Sequence, residues 1–401
     1  MSELTIARPA PEPAGDAPPA RRRRRLPSGP AAWGALVVVA ATASAMIWTY
    51  ASTHQIFPDT QWYLIYTLRM LGEDRAGSER IVLDYIRDHG TFPPYDYLWA
   101  SKPYTLSYRP RMLLPVLSVP FVGLFGPGGI VVVPGIAFVA AMLAIYRFVT
   151  RFASVPAATA ASVLAVASPL VAKWCVGGLT DSMALLLHTA MLLLLPWHRA
   201  ATRWTVLGLA AVTFLTATTR VITPFTVGTV AAVWCWAMWR ERDRWRTWTV
   251  AAAGAAAGVV AGAVWTKVVS APYSSATHFV SMTGGEARNL GEAMPWYREN
   301  LPPALAKELT TIFSSWPLVL LIVLSFLACF VAWRTVVPWL VVSAWVGAAG
   351  IFLTAPFATL FRYELPVLPA LALAVAVLVD RVYAGLRGAP TPTPAPRTPY
   401  P

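Results

Sequence analysis

Apolar blocks, most of them close to the ~20 residues that cross the hydrocarbon core of a bilayer, recur along this chain at about 33–50, 128–149, 155–173, 180–197, 204–219, 221–239, 247–269, 313–333, 336–356 and 365–383. A soluble fold cannot bury that much continuous apolar sequence. The composition agrees: 57% of residues are hydrophobic and 13% charged, against roughly a quarter charged in a soluble domain. The expected fold class is therefore all-α, a polytopic membrane helix bundle of about ten spans. It would occupy 31–387, between a basic disordered cytoplasmic tail (1–30) and a Pro-rich cytoplasmic tail (388–401). The block after the Arg21 to Arg25 run has no small-residue cleavage site behind it and ends in Trp48 and Tyr50, so it reads as a retained span rather than a signal peptide.

Arginine placement orients the bundle. Of 32 basic residues only Lys102, Lys173, Lys267 and Lys307 are lysine. Alternate threading gathers the tail, Arg147, Arg151, Arg199, Arg203, Arg240, Arg242, Arg244, Arg246, Arg334, Arg381, Arg387 and Arg397 on one side. That side holds 18 basic and 6 acidic residues against 14 and 13 on the other. By the positive-inside rule the first side is cytoplasmic, with both termini there, in the cytoplasmic (plasma) membrane. Two outer loops remain, about 51–127 and 270–312. The first should hold amphipathic helices: one from Thr60 to Leu71, and one over 78–90 with the stripe Ile81, Val82, Tyr85 and Ile86 lying on the membrane. Met112 to Phe125, interrupted by Pro115 and Pro120, is too short for a span and suits an interfacial or re-entrant helix.

The outer face carries the candidate chemistry. Asp59 follows the first span and Asp181 opens the span at 180. Either carboxylate can serve as a helix N-cap or act on a substrate hydroxyl as a base or electrostatic partner. Arg109, Arg111, Arg220 and Arg362, with Tyr363, lie at the same edge, where a guanidinium can fork onto a phosphate or snorkel to headgroups. No His-Glu-x-x-His pair occurs among the five histidines. The three cysteines Cys175, Cys235 and Cys329 form no close set, and Gly284-Gly285 lacks a nucleotide-binding context. No cofactor is assigned, a divalent metal is left open, and nucleic acid is not an expected partner.

The order of features resembles the C-type glycosyltransferases (GT-C), in particular the protein mannosyltransferase and aminoarabinose transferase branch. The residues that carry this are Asp59, the 60–90 loop, Tyr108-Arg109-Pro110-Arg111-Met112-Leu113-Leu114-Pro115, Phe125-Gly126, Tyr146-Arg147, Ser168-Pro169 leading to Asp181, Arg220, and Arg362-Tyr363 before Pro366 and Pro369. The resemblance implies a polyprenyl-phosphate-linked sugar as donor, membrane lipids as surroundings and an unidentified acceptor. It gives Asp59 and Asp181 catalytic roles, and the arginines and Tyr363 the lipid phosphate. Thr60 stands where several relatives carry a second acid, and no large soluble C-terminal domain follows the spans. Two other readings fit the same sequence: a non-catalytic membrane partner keeping the fold, and a lipid or solute transporter, although no internal repeat is visible.

Overall fold

The computed structural model describes residues 29–53, 56–89, 106–220, 222–271, 274–281, 283, 286–354 and 359–387. Residues 1–28 of the first tail, the tail 388–401, His54, Gly90, Lys102, Gly284 and Gly285 lie outside the described residues, and Pro30, expected in the tail, already opens the first helix. Among those described there are helices and turns but no strand. The helices are α1 (Pro30–Ser52), α2 (Pro58–Met70), α3 (Arg75–His89), α4 (Leu113–Phe125), α5 (Val132–Val149), α6 (Val155–Val166), α7 (Pro169–Val176) and α8 (Asp181–Leu194). They continue with α9 (Arg203–Ala217), α10 (Thr223–Arg240), α11 (Trp245–Ser270), α12 (Ser275–Ser281), α13 (Leu290–Phe313), α14 (Trp316–Val331), α15 (Val337–Thr354) and α16 (Leu368–Leu386). Four segments, Pro30–Ser52, Pro127–Val149, Arg242–Ser270 and Leu365–Leu386, are long and apolar enough to cross a membrane, or six if each of two bent pairs is one span. The chain is a membrane protein on that ground.

Burial sorts these helices by position. Residues 364–376 at the head of α16 are all buried, as suits a helix that is apolar all round and sits at the centre of a bundle. α1 lies at the rim. Gly34, Val38, Thr42 and Thr49 face inward, while Trp33, Ile47 and Trp48 are exposed to lipid. Close helix contact is made through small residues, as expected where lipid supplies no hydrophobic drive between helices. A side chain at Gly254, Gly258 or Gly262 of α11 would overlap α9, at Val206, at Thr213 and the Ala210 carbonyl, and at Ala217 respectively.

Three sequence expectations change. The block 155–173 is not one helix: α6 and α7 meet at a 73° bend, because Pro169 lacks an N–H and holds Ser168 extended (φ −75°, ψ 119°). A second break, 97° between α13 and α14, meets the first through a 2.9 Å hydrogen bond between the Ser168 and Ser315 hydroxyls. The helix expected from Thr60 begins instead at Pro58. Residues 59–65 are all buried against the bundle. In α3, capped by Asp74 through the Gly77 amide (2.6 Å), Val82 and Ile86 pack on the cluster formed with α2 rather than on lipid.

The turns expected on one side do converge at one end. Arg151 donates to the Leu193 carbonyl (2.6 Å), and Arg244 donates to those of Pro196, Trp197 and Arg199 (2.7 to 3.0 Å). Asp380 accepts the Ser154 amide (2.6 Å), and Arg381 donates to Val331. These bonds tie the 150s, 190s, 240s, 330s and 380s into one basic end.

The α9–α11 contact gives a direct test of the packing. Gly258→Ala should destabilise the bundle by about 1–3 kcal/mol, the usual cost of overpacking. Gly385→Ala, where an added methyl meets nothing, should be neutral or better on helix propensity. Thermal unfolding of both in the same detergent checks this.

Candidate functional site

At the end opposite the basic turns, four charged side chains from separate elements form a chain of ion pairs. Arg362, in the turn before α16, donates Nη2 to Asp59 Oδ2 (2.6 Å) and Nε to Asp181 Oδ2 (3.1 Å). Arg220, after α9, pairs with the other Asp181 oxygen. Its guanidinium carbon stands 4.0 Å above the Tyr363 ring. Asp181 and Arg220 are 2% and 5% exposed, so these charges are compensated by one another rather than by bulk water.

Local sequence explains each position. Neither acid is an N-cap. α2 is capped at Phe57, whose amide donates to Thr60 Oγ1 (3.1 Å), and α8 is preceded by Thr180 at its cap. Asp59 and Asp181 sit inside the first turns with their carboxylates free for arginine. Thr60 closes the cap, and its methyl side leaves no room for a Cβ at Gly178. Gly178 thus brings the α7–α8 link, and Asp181 after it, onto α2.

Around this chain lies an aromatic and polar shell. The Tyr108 hydroxyl donates to Asp59 Oδ1 (2.7 Å). Trp62 stacks on the Tyr108 ring at 5.8 Å, and the Arg111 guanidinium lies 4.9 Å from it. Arg111 Nε, Trp62 Nε1 and both amide atoms of Gln61 are buried with no hydrogen-bond partner among the described residues. Burial pushes the Asp59 carboxyl up, but Arg362, the Tyr108 hydroxyl, Arg220 and Arg111 together outweigh it and hold it down at about 2. In this state Asp59 is fully ionised near neutral pH and a weak proton acceptor. Of the residues chosen from sequence, Asp59, Asp181, Arg111, Arg220, Arg362 and Tyr363 are brought together. Arg109 is not: it is exposed beside that group.

The residue that sequence reasoning missed is Glu308. Its carboxylate, reaching from α13, accepts the amides of Thr359 and Leu360 (each 2.7 Å) and of Phe361. Leu360 and Phe361 are in the left-handed region (φ 56° and 67°), a conformation that costs non-glycine residues of order 1 kcal/mol or more. Three converging amides form an anion nest, and Glu308 fills it. Trp174 Nε1 also donates to the Leu360 carbonyl (2.7 Å). This turn ends at Arg362, so Glu308 sets where that arginine stands. No spacing in the sequence flags an acid that acts on backbone amides about fifty residues away.

Glu364 Oε2 accepts the Thr359 hydroxyl (2.9 Å). Burial, and then the neighbouring Glu308, raise its carboxyl to about 7. A carboxyl raised on folding stabilises most below its unfolded value and loses that contribution as pH climbs through the folded one. Stability should therefore decline between about pH 4.5 and 7.5, by up to ~1.4 kcal/mol per pH unit. Glu364→Gln should flatten that slope, while Glu308→Ala, which orphans buried amides, should lower the midpoint at every pH. Thermal melts at stepped pH read both.

Compared with family models, with curated proteins and with solved structures, the chain matches none.

Proposed function

We propose that the chain is a GT-C-like membrane glycosyltransferase with ten crossings and both termini cytoplasmic. It would move a sugar from a polyprenyl-phosphate donor to a hydroxyl acceptor at the outer face of the plasma membrane. The observation that carries this reading is the charge balance of the cluster. Asp59 and Asp181 cancel Arg220 and Arg362, and Arg111 remains, with a buried Nε that has no partner. These five side chains together carry one net positive charge, and that surplus, set among aromatic rings at one end of an apolar bundle, suits a phosphodiester monoanion carried on a lipid.

The chemistry then follows from the shared arginine. The acceptor oxygen attacks the anomeric carbon while the bond from that carbon to the phosphate oxygen breaks, and the electron pair leaves with polyprenyl phosphate. Fixed guanidinium groups favour that developing charge. A phosphate entering beside Arg362 competes with Asp59 for it. As Arg362 turns to the phosphate, Asp59 loses the partner that keeps it acidic and becomes able to take the acceptor proton. Base strength is thereby coupled to donor binding.

Donor cleavage tests the reading without knowing the acceptor. Purified protein in proteoliposomes is given a panel of polyprenyl-phosphate sugars, and release of polyprenyl phosphate, with water or added alcohols as acceptor, is followed. The parent should cleave at least one donor. Asp59→Asn should lose about 10²–10⁴ of the rate, and Arg362→Lys should weaken donor binding because the fork is gone. A parent inert towards every donor sinks the enzyme reading in favour of the non-catalytic partner, and an undiminished Asp59→Asn removes the base.

The meeting of two broken helices at Ser168 and Ser315 favours a second reading, a lipid or solute transporter. Movement of an intact lipid-linked sugar between leaflets, with no bond cleaved, would establish it. Orientation is separable from both. Ser78 is fully buried and so a poor reporter, but Arg87 and Ala200 are exposed at opposite ends. In a background without Cys235 and Cys329, Arg87→Cys should react with an impermeant thiol reagent in intact cells and Ala200→Cys should not; the reverse pattern turns the bundle over.

A further inference from the structure

The arginines of the basic end fall into two classes. Arg151, Arg244 and Arg381 are half-buried and donate to carbonyls at helix ends. Five others are exposed and lie over exposed rings. Arg203 lies over Trp204, Arg240 over Trp239, Arg246 over Trp245, Arg334 over Trp333 and Arg387 over Tyr383, with the guanidinium carbon 4.2 to 5.5 Å from the ring centroid. The rings are 48% to 68% exposed. Trp239 also packs against Trp339, but the ion-pair cluster uses none of them. They sit where α9, α10, α11, α15 and α16 begin or end, on turns already gathered at one level by hydrogen bonds.

We infer that these five pairs form a girdle that binds anionic phospholipid headgroups at the end opposite the candidate site. Tryptophan and tyrosine settle at the depth of the headgroups and glycerol. A guanidinium held flat on such a ring by cation–π attraction keeps its in-plane N–H fork directed outward, in the geometry that takes two phosphate oxygens. The same turns carry only Glu241, Asp243 and Asp380 as acids. Glu241 is engaged by Arg244 and Trp248, and Asp380 by Ser154. The field there favours a lipid with net negative charge over a zwitterion, whose ammonium it repels. The exposed ring beside every arginine, at a helix end, favours a bilayer over an acidic protein partner. Headgroups bridging neighbouring pairs would clamp the ends of five helices together. The inference is independent of whether the opposite end transfers sugar.

The test uses the full chain in nanodiscs of phosphatidylcholine alone or mixed with phosphatidylglycerol. Native mass spectrometry counts the lipids retained, and a thermal melt reads the clamp. Phosphatidylglycerol should be retained in preference and should raise the melting midpoint. The variant R203Q/R240Q/R246Q/R334Q/R387Q should lose that preference by about tenfold or more, since each surface arginine is worth roughly fivefold in affinity for anionic lipid. A charge-matched control, R75Q/R80Q/R87Q/R288Q/R298Q, alters exposed arginines of the other end and should keep it. If the fivefold variant fails to fold, the single Arg→Gln variants should each lose roughly fivefold. Equal retention of both lipids by the parent, or equal loss in the control, overturns the girdle, as does retention of an acidic peptide with no lipid preference.

Discussion

Arg362 is shared between two carboxylates, and most of the architecture at that end exists to make the sharing possible. A lone buried carboxylate or guanidinium is several kcal/mol worse off than in water, so Asp59, Asp181, Arg220 and Arg362 are stable there only as a set. Asp59 arrives on α2, Asp181 on α8, Arg220 after α9 and Arg362 before α16. Removing any one leaves an uncompensated charge among aromatic rings. The cluster is therefore a lock on the relative position of four elements as well as a candidate site, and its two roles cannot be separated by burial alone. What distinguishes them is surplus. A lock needs neither the unpartnered Arg111 Nε nor the unpartnered Gln61 amide and Trp62 indole.

The lock in turn depends on a strained turn. Leu360 and Phe361 occupy left-handed backbone without glycine's freedom, and they stay there because Glu308 receives their amides. Strain of this kind persists only where its surroundings over-determine it. Glu308 comes from α13, so that helix is part of the machinery that aims Arg362 even though it contributes no side chain to the ion pairs.

The apolar blocks could be read directly because hydrophobic length is a property of the sequence itself. A helix forms in every one of them. Where reading failed, the deciding interaction was tertiary. Pro169 marks the break between α6 and α7 in the sequence, but nothing local shows that Ser168 there meets Ser315 at the second break. Asp59 and Asp181 stand out in sequence at one edge of the bundle, yet the N-cap positions fall one or two residues earlier, on Phe57 and Thr180, and arginines claim the carboxylates. Arg109 and Arg111 are two residues apart and look alike in sequence. Only the turn at 106–112 shows that one guanidinium packs against Tyr108 while the other is exposed. Glu308 left no local trace at all, since its partners are backbone amides that any sequence supplies.

Helix lengths explain why the charges must be so fully paired. From the basic turns, α8 rises 14 residues to Asp181 and α9 rises 15 to the turn before Arg220. On α16 the rise from Asp380, which accepts from Ser154 at the head of α6, to Leu365 is of similar length. At 1.5 Å per residue each path is about 21–23 Å, less than the ~30 Å of the hydrocarbon core. The cluster therefore lies below the level of the opposite interface, at a depth where irregular backbone and charge survive only if protein covers them. α2, with residues 59–65 buried, and the half-exposed α4 supply that cover. On the proposed reading, a phosphate on a lipid would approach this level from the bilayer, whereas a soluble anion would have to pass the helices that cover it.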